Sequence, residues 1–185
     1  PEFQSKLLVL KKYIESIQGN FQVDGAYSGK RGAMVVDVVA SRQRQYSTRV
    51  LKIVGGWAES VPAPTLEELA KKPLDKKLFG LREGESESIS NVAKGLLKFG
   101  VDFEIESEDL ICENWARAVE DFRFAPKLDP YVGQVEGMGI ALFAYLRKLS
   151  GAEAIKPDVR VRKRLQSLGF GGFLKACTAR GIDFP

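Results

Sequence analysis

Histidine is absent from this sequence of 185 residues, and cysteine occurs only twice, as Cys112 and Cys177. Without an imidazole, the chain lacks a common general base and the commonest metal ligand. Two distant cysteines with no CxxC spacing can form neither a zinc site nor a cysteine-ligated iron-sulfur cluster. Acid-base chemistry must therefore fall to carboxylates, and we expect no metal site and a reducing, cytoplasmic setting.

Long apolar runs are also missing. No stretch approaches the roughly 20 residues that cross a bilayer, and Pro1 to Gln4 lack the basic-then-apolar order of a signal peptide. We expect a soluble, monomeric protein without a membrane partner, cytoplasmic or nucleoid-associated in a prokaryote. The net charge of +4 is compatible with a polyanionic partner.

The chain does contain helical periodicity. Apolar residues recur at helical rather than strand spacing, and the alternating runs and Asn-Gly turns of an all-β fold are missing. The pattern predicts an all-α protein that forms a single unit over residues 1–185. We expect two approximate lobes, a central helical bundle of residues 31–150 and a set of terminal helices from residues 1–30 and 151–185.

Predicted helix boundaries follow from the same periodicity. Thr65, followed by Glu67 and Glu68, predicts an N-cap with an acidic first turn. The segment 139–149 is apolar almost all round, which predicts a helix buried at the centre of the molecule. A loop is predicted over 22–32, and the segment 33–54 is predicted to form one helix or two. The other predicted helices are 7–17, 65–72, 88–99, 107–122, 139–149 and 158–168.

A glycine-rich turn precedes the apolar helix. Gly137, Met138 and Gly139 form this turn, in which glycines permit positive φ and backbone amides are exposed at the helix start. Such a turn can hold a phosphate. An ordinary interhelical turn is the alternative interpretation.

A carboxylate and a basic strip follow that helix. Asp158 opens a helix that carries Arg160, Arg162, Lys163 and Arg164. An aspartate in this position ordinarily caps its helix, and the strip is either a solvated face or a nucleic-acid contact.

The order Gly-x-Gly, apolar helix, glycine and then an aspartate opening a basic helix resembles the helix-hairpin-helix DNA glycosylase superfamily, in its endonuclease III-like form. Two upstream segments resemble it as well. VVDVVASRQRQYSTRVLKIV, residues 35–54, is similar to the family helix that ends in a Ser-x-Gln turn. FGLREGESESISNVAKGLLKFG, residues 79–100, is similar to its segment of a glycine and then a helix of Asn, Lys and apolar residues. Together these segments cover most of 33–170.

The resemblance implies a two-lobed helical fold with a cleft, double-stranded DNA as the partner, and removal of a damaged or mispaired base. It implies that Asp158 is the catalytic carboxylate. It also implies that DNA is contacted by Gly137, Met138, Gly139, Arg42, Gln43, Arg160, Arg162 and Lys163. Arg42 and Gln43 lie where the family places the wedge that fills the gap left by an extruded base, although a solvated helix end fits them equally. A monovalent cation could sit among the hairpin carbonyls.

The sequence departs from the family at three places, one of which is the hairpin entry, where Val135-Glu136 replaces the frequent Leu-Pro. Bifunctional members carry a lysine where this chain has Ala141, so no Schiff-base lyase step is expected. The carboxyl-terminal four-cysteine cluster is absent as well. The expected function is a monofunctional DNA repair glycosylase, and the alternative is a non-catalytic DNA-binding protein that keeps only the hairpin.

Four more residues are candidates for the site. Asp37 interrupts the apolar run 33–40, where a charge is costly unless it is paired or faces a polar cleft. It is therefore either a partnered core carboxylate or a second active-site acid. Tyr46, Trp57 and Tyr131 are core residues or aromatic planes of a base pocket.

Overall fold

The computed structural model describes residues 2–17, 27–123, 125–154, 159–172 and 175. Every regular element over these residues is helical, which confirms the all-α fold class. Within this part of the chain, no helix is long and apolar enough to cross a membrane. The α-helices are α1 (Glu2–Ile17), α2 (Arg31–Ala40), α3 (Leu51–Glu59), α4 (Leu66–Lys71), α5 (Glu85–Asp102), α6 (Glu108–Ala118), α7 (Ile140–Leu149) and α8 (Val159–Leu165).

Contacts divide the chain into two compact units. The larger unit is Gly25–Lys156 and contains α2 to α7. The smaller unit combines Pro1–Asp24 with Pro157–Pro185 and contains α1 and α8. The contacts described below for the candidate site all join residues of the larger unit.

Helix α2 is the central element of the larger unit. Each of its residues from Arg31 to Ala40 is buried, and it packs against α3, α4, α5, α6 and α7. Gly32 permits one of these contacts, because a Cβ there would stand 2.2 Å from the carbonyl oxygen of Thr65. Helix α7, which was predicted to be buried at the centre of the molecule, is buried at most of its positions but has half-buried Ile140 and Tyr145 and an exposed Lys148.

Several predicted boundaries are corrected, and one cap is confirmed. Thr65 caps α4 by accepting a hydrogen bond from the backbone N–H of Glu68 at 3.3 Å. The segment 33–54 forms two helices rather than one, and a loop and a π-helical turn (Tyr46–Val50) separate them. Helix α6 ends at Ala118, before a 3₁₀ turn at Glu120–Phe122. Helix α2 starts inside the predicted loop 22–32, of which residues 22–26 lie outside the described residues.

The remaining differences concern helix ends. Helix α5 extends beyond the predicted 88–99 in both directions. Helix α8 ends at Leu165, and a π-helical turn at Gln166–Phe170 follows, kinked at Gly169 with a φ of 88°. A glycine adopts this left-handed conformation without the steric cost that a Cβ would add.

Candidate nucleic-acid interface

Helix α2 ends in a loop, residues 41–45, whose tip is strained. Gln43 has a φ of 51°, a left-handed conformation that costs a residue with a Cβ about 1–2 kcal/mol. Its side chain is exposed, so burial of that side chain does not compensate for the strain. Such a conformation persists where the surrounding structure holds it, and strained residues of this kind cluster at functional sites.

Arginine side chains hold this loop in place. Arg82 donates hydrogen bonds to the carbonyl oxygens of Arg42 and Gln43, at 3.0 and 3.2 Å. Arg44 forms two hydrogen bonds with the carboxylate of Glu85, at 2.8 and 2.7 Å. The side chains of Arg44 and Glu85 are only 8% and 1% exposed, so the loop is anchored in the protein interior.

The glycine turn predicted to hold phosphate lies directly beside this loop. Gly137 has a φ of 85°, and its carbonyl oxygen accepts a hydrogen bond from Arg42 Nη2 at 2.6 Å. A Cβ at Gly137 would stand 2.5 Å from that nitrogen and would displace the end of the Arg42 side chain. The left-handed backbone itself favours glycine. The structure thus brings together two segments, Arg42–Gln43 and Gly137, that are far apart in sequence.

The turn also sets the start of α7. Gly139 is the N-cap of this helix, with an extended backbone and no neighbour within 4 Å of the place a Cβ would take. The first amides of a helix have no partner within the helix, so they can bind anions. Met138 was predicted to contact DNA together with the glycines. Met138 as a whole is only 1% exposed and packs into the core, so the structure does not support a contact between Met138 and DNA.

Asp37 lies one turn of α2 before the loop and is fully buried. Tyr27 and Tyr46 donate hydrogen bonds to its Oδ2 atom at 2.5 and 2.7 Å, and Tyr145 donates to its Oδ1 atom at 3.3 Å. Hydroxyl donors of this kind satisfy a buried carboxylate. Tyr46 is 42% exposed, so this cluster of three tyrosines and Asp37 extends from the core to the surface.

Burial and the Asp37 carboxylate raise the pKa values of the three tyrosines. Burial, reinforced by the negative charge of Asp37, raises the pKa of Tyr27 and of Tyr145 well above the ordinary value of 10.0. Burial and the hydrogen bond to Asp37 also raise the pKa of Tyr46. All three phenols therefore stay protonated as donors to Asp37 over the whole neutral range.

These shifts predict an alkaline limit to stability. A tyrosine pKa raised by folding contributes stability that is complete below the unfolded pKa of about 10 and is lost as pH rises through the folded value. We expect the free energy of unfolding, measured by urea titration, to fall as pH rises above about 10. Most of the tyrosinate ultraviolet absorbance should appear in the same pH step as the loss of helical circular dichroism. If it appears while the helices are intact, the cluster does not hold these phenols.

A basic groove borders the same loop. It has a volume of about 990 Å³ and is lined by Gln43, Arg44 and Gln45 together with residues of α3 and of the segment 77–82. Cationic side chains contribute much of its wall, and no acidic side chain is among the described residues that line it. The cationic residues are Arg44, Arg49, Lys52, Lys77 and Arg82.

The other predicted site residues lie elsewhere. Trp57 is 4% exposed and packs in the core against Gly32. The ring of Tyr131 meets that of Phe99 edge-on, with centroids 5.2 Å apart, and its hydroxyl donates a hydrogen bond to Asp102. Of the three candidate aromatics, the structure therefore joins only Tyr46 to Asp37.

The smaller unit carries the remaining predicted residues. Arg160 and Lys163 of α8 are exposed, and Arg162 is half-buried. Asp158 lies outside the described residues, so the structure adds nothing to the prediction for it.

Comparison with known proteins gave no match: no protein-family model, no curated protein and no solved structure is similar to this chain. Among the described residues, no group of three or more cysteine, aspartate or glutamate side chains could hold a metal ion. The functional interpretation therefore depends on the sequence pattern and the geometry alone.

Proposed function

We propose that this protein binds duplex DNA and hydrolyses the N-glycosidic bond of a base extruded from the stack, as a monofunctional DNA repair glycosylase. The observation that carries the proposal is Gln43, a polar residue whose backbone is held in a left-handed conformation at the exposed tip of the 41–45 loop. An enzyme that extrudes a nucleotide needs a rigid side chain to occupy the gap and to hydrogen-bond the orphaned partner base.

The surroundings of Gln43 suit a polyanion. The glycine turn at Gly137 adjoins the loop through Arg42, and the groove beside it has cationic walls. Contacts to phosphate supply most of the affinity for DNA without reading its sequence. In this proposal the turn and the basic residues hold the backbone, while Gln43 enters the stack.

Carboxylates supply the chemistry. Breaking an N-glycosidic bond develops oxocarbenium character on the sugar, which a nearby carboxylate stabilises while it orients the attacking water. The family resemblance assigns this role to Asp158. Asp37, which is buried and accepts a hydrogen bond from the partly exposed Tyr46, is the candidate second acid. Because Ala141 cannot form a Schiff base, the product would keep an intact abasic site.

A non-catalytic DNA-binding protein is the second candidate. It is favoured by the complete burial of Asp37 beneath its tyrosine partners, since a carboxylate used only for packing needs no path to a substrate. Phosphate contacts alone suffice for binding. The two candidates differ in whether a base is released.

The glycine variant Gln43→Gly tests the wedge separately from the fold. Glycine adopts positive φ freely but loses more chain entropy on folding, so stability should stay within about 1 kcal/mol of the unmodified protein. Affinity for duplexes that contain a lesion should fall about tenfold, the loss expected for one good hydrogen-bonding contact. Chemical denaturation and fluorescence anisotropy measure the two effects.

Glu104→Gly is the matched control, because Glu104 has a similar φ of 53° at the end of α5. It should change stability by a similar amount and leave DNA affinity unchanged. Equal losses of affinity in both variants, or no loss in Gln43→Gly, would contradict the proposal that Gln43 enters the base stack.

A further inference from the structure

The groove beside the 41–45 loop carries cations that the fold itself does not use. Arg44 and Arg82 are committed to Glu85 and to the loop backbone. Arg49, Lys52 and Lys77 are exposed, and over the described residues their side chains take part in no hydrogen bond or ion pair. Arg49 and Lys52 therefore line the groove without such a partner, and Lys77 lies close enough to Asp75 for its charge to help lower the pKa of that carboxyl.

The acidic groups beside the groove already have partners, and Asp75 accepts hydrogen bonds from the backbone N–H groups of Lys77 and Leu78 at 2.8 and 3.0 Å. Glu85 is paired with Arg44 at 2.7 Å, and Glu83 is paired with Lys76 at 2.5 Å. A concave surface lined by charge of one sign concentrates ligands of the opposite sign. The groove is thus a site for an extended polyanion rather than for a neutral ligand.

Apolar side chains in the same groove indicate which class of polyanion it binds. Leu78 is 74% exposed, and the next residue, Phe79, is half-buried and lines the groove. The amide side chains of Gln43 and Gln45 stand at the loop edge of the groove. Bases can stack on an aromatic side chain only when they are free of a duplex, because a duplex hides the base faces in its own stack. The amides can hydrogen-bond to the edges of such bases.

We infer that this groove binds single-stranded nucleic acid, with phosphates at Arg49, Lys52 and Lys77 and a base against Phe79. A basic groove combined with an aromatic platform is the arrangement that binds unpaired strands with little sequence preference. The inference goes beyond the proposed excision of a base from duplex DNA and does not depend on any catalytic step.

The test uses the full chain and a fluorescent oligothymidylate of about a dozen nucleotides, within the usual site size. Lys52→Gln/Lys77→Gln should weaken binding at least tenfold at low salt. Each lysine that is neutralised removes one phosphate contact. The slope of log affinity against log salt concentration should therefore become less steep by about 0.7 for each. Phe79→Leu should weaken binding about tenfold and leave the slope unchanged.

Lys94→Gln/Lys148→Gln is the control, since both lysines are exposed and neither lines the groove. It removes the same net charge and should change affinity less than twofold. Equal weakening in the two double variants would overturn the inference, because only net charge would then matter. An effect of the groove variant on duplex but not on single strand would overturn it too. Base excision measured in parallel can fail without altering the single-strand result, so the two proposals fail separately.

Discussion

Replacement of Asp158 by asparagine is expected to lower the rate of base excision by a factor on the order of 10² or more. Asparagine keeps the size of the side chain and caps a helix about as well as aspartate, so the protein should fold normally. What is lost is the negative charge that stabilises an oxocarbenium-like transition state. Affinity for DNA should hold or rise slightly, because one repulsion near phosphate disappears. Single-turnover excision kinetics and binding titrations measure the two effects separately.

The possible outcomes distinguish the roles of Asp158. If the variant excises at the unmodified rate, Asp158 only caps α8. If rate and affinity fall together, its role is to hold the structure or the DNA rather than to assist the chemistry. Only a fall in rate with affinity unchanged or slightly raised supports the catalytic assignment.

Replacement of Asp37 by asparagine is expected to destabilise the protein by about 2–3 kcal/mol, since hydrogen bonds to a charged group are worth more than neutral ones. The three tyrosines would lose the negative charge that helps to raise their pKa values. Tyrosine ionisation should therefore move to lower pH. If Asp37 is the second acid, excision by the folded protein should also fall by about 10²-fold or more.

Asp129→Asn is the matched control for this variant. Asp129 is also fully buried, and its carboxylate accepts hydrogen bonds from Trp115 Nε1 and from backbone N–H groups that include that of Gly133. It should cost similar stability without shifting the ionisation of the tyrosine cluster or the excision rate. Equal losses of excision in the two variants, after correction for the folded fraction, would assign Asp37 a purely structural role.

Local chemistry explains which parts of the fold could be predicted. The Thr65 cap and the positive φ of Gly137 follow from short-range rules, so a few neighbouring residues were enough to predict them. Helix ends were less predictable, because Ala118 and Leu165 end helices without a proline or a nearby glycine stop. A partnered core carboxylate was one of the two interpretations of Asp37, but its three tyrosine partners lie in distant segments, so the central position of α2 was not predicted.

Long-range pairing explains what could not be predicted. Arg44 and Glu85 are separated by 41 positions, and no local pattern joins them. The tyrosine cluster likewise assembles from three separate segments around Asp37. The groove residues Lys52 and Lys77 carried no distinguishing signal, since isolated lysines are common on surfaces. Only packing shows that they line one groove.

Incubation of the purified protein with duplexes that carry uracil, alkylated, oxidised or mismatched bases tests the proposed activity most directly. We predict release of a free base from at least one duplex, leaving an abasic site with an intact backbone and no adduct trapped by borohydride. The Asp158→Asn variant should lose this activity while still binding the same duplex. Binding of every duplex without release of any base would contradict the proposed glycosylase and favour the non-catalytic DNA-binding protein.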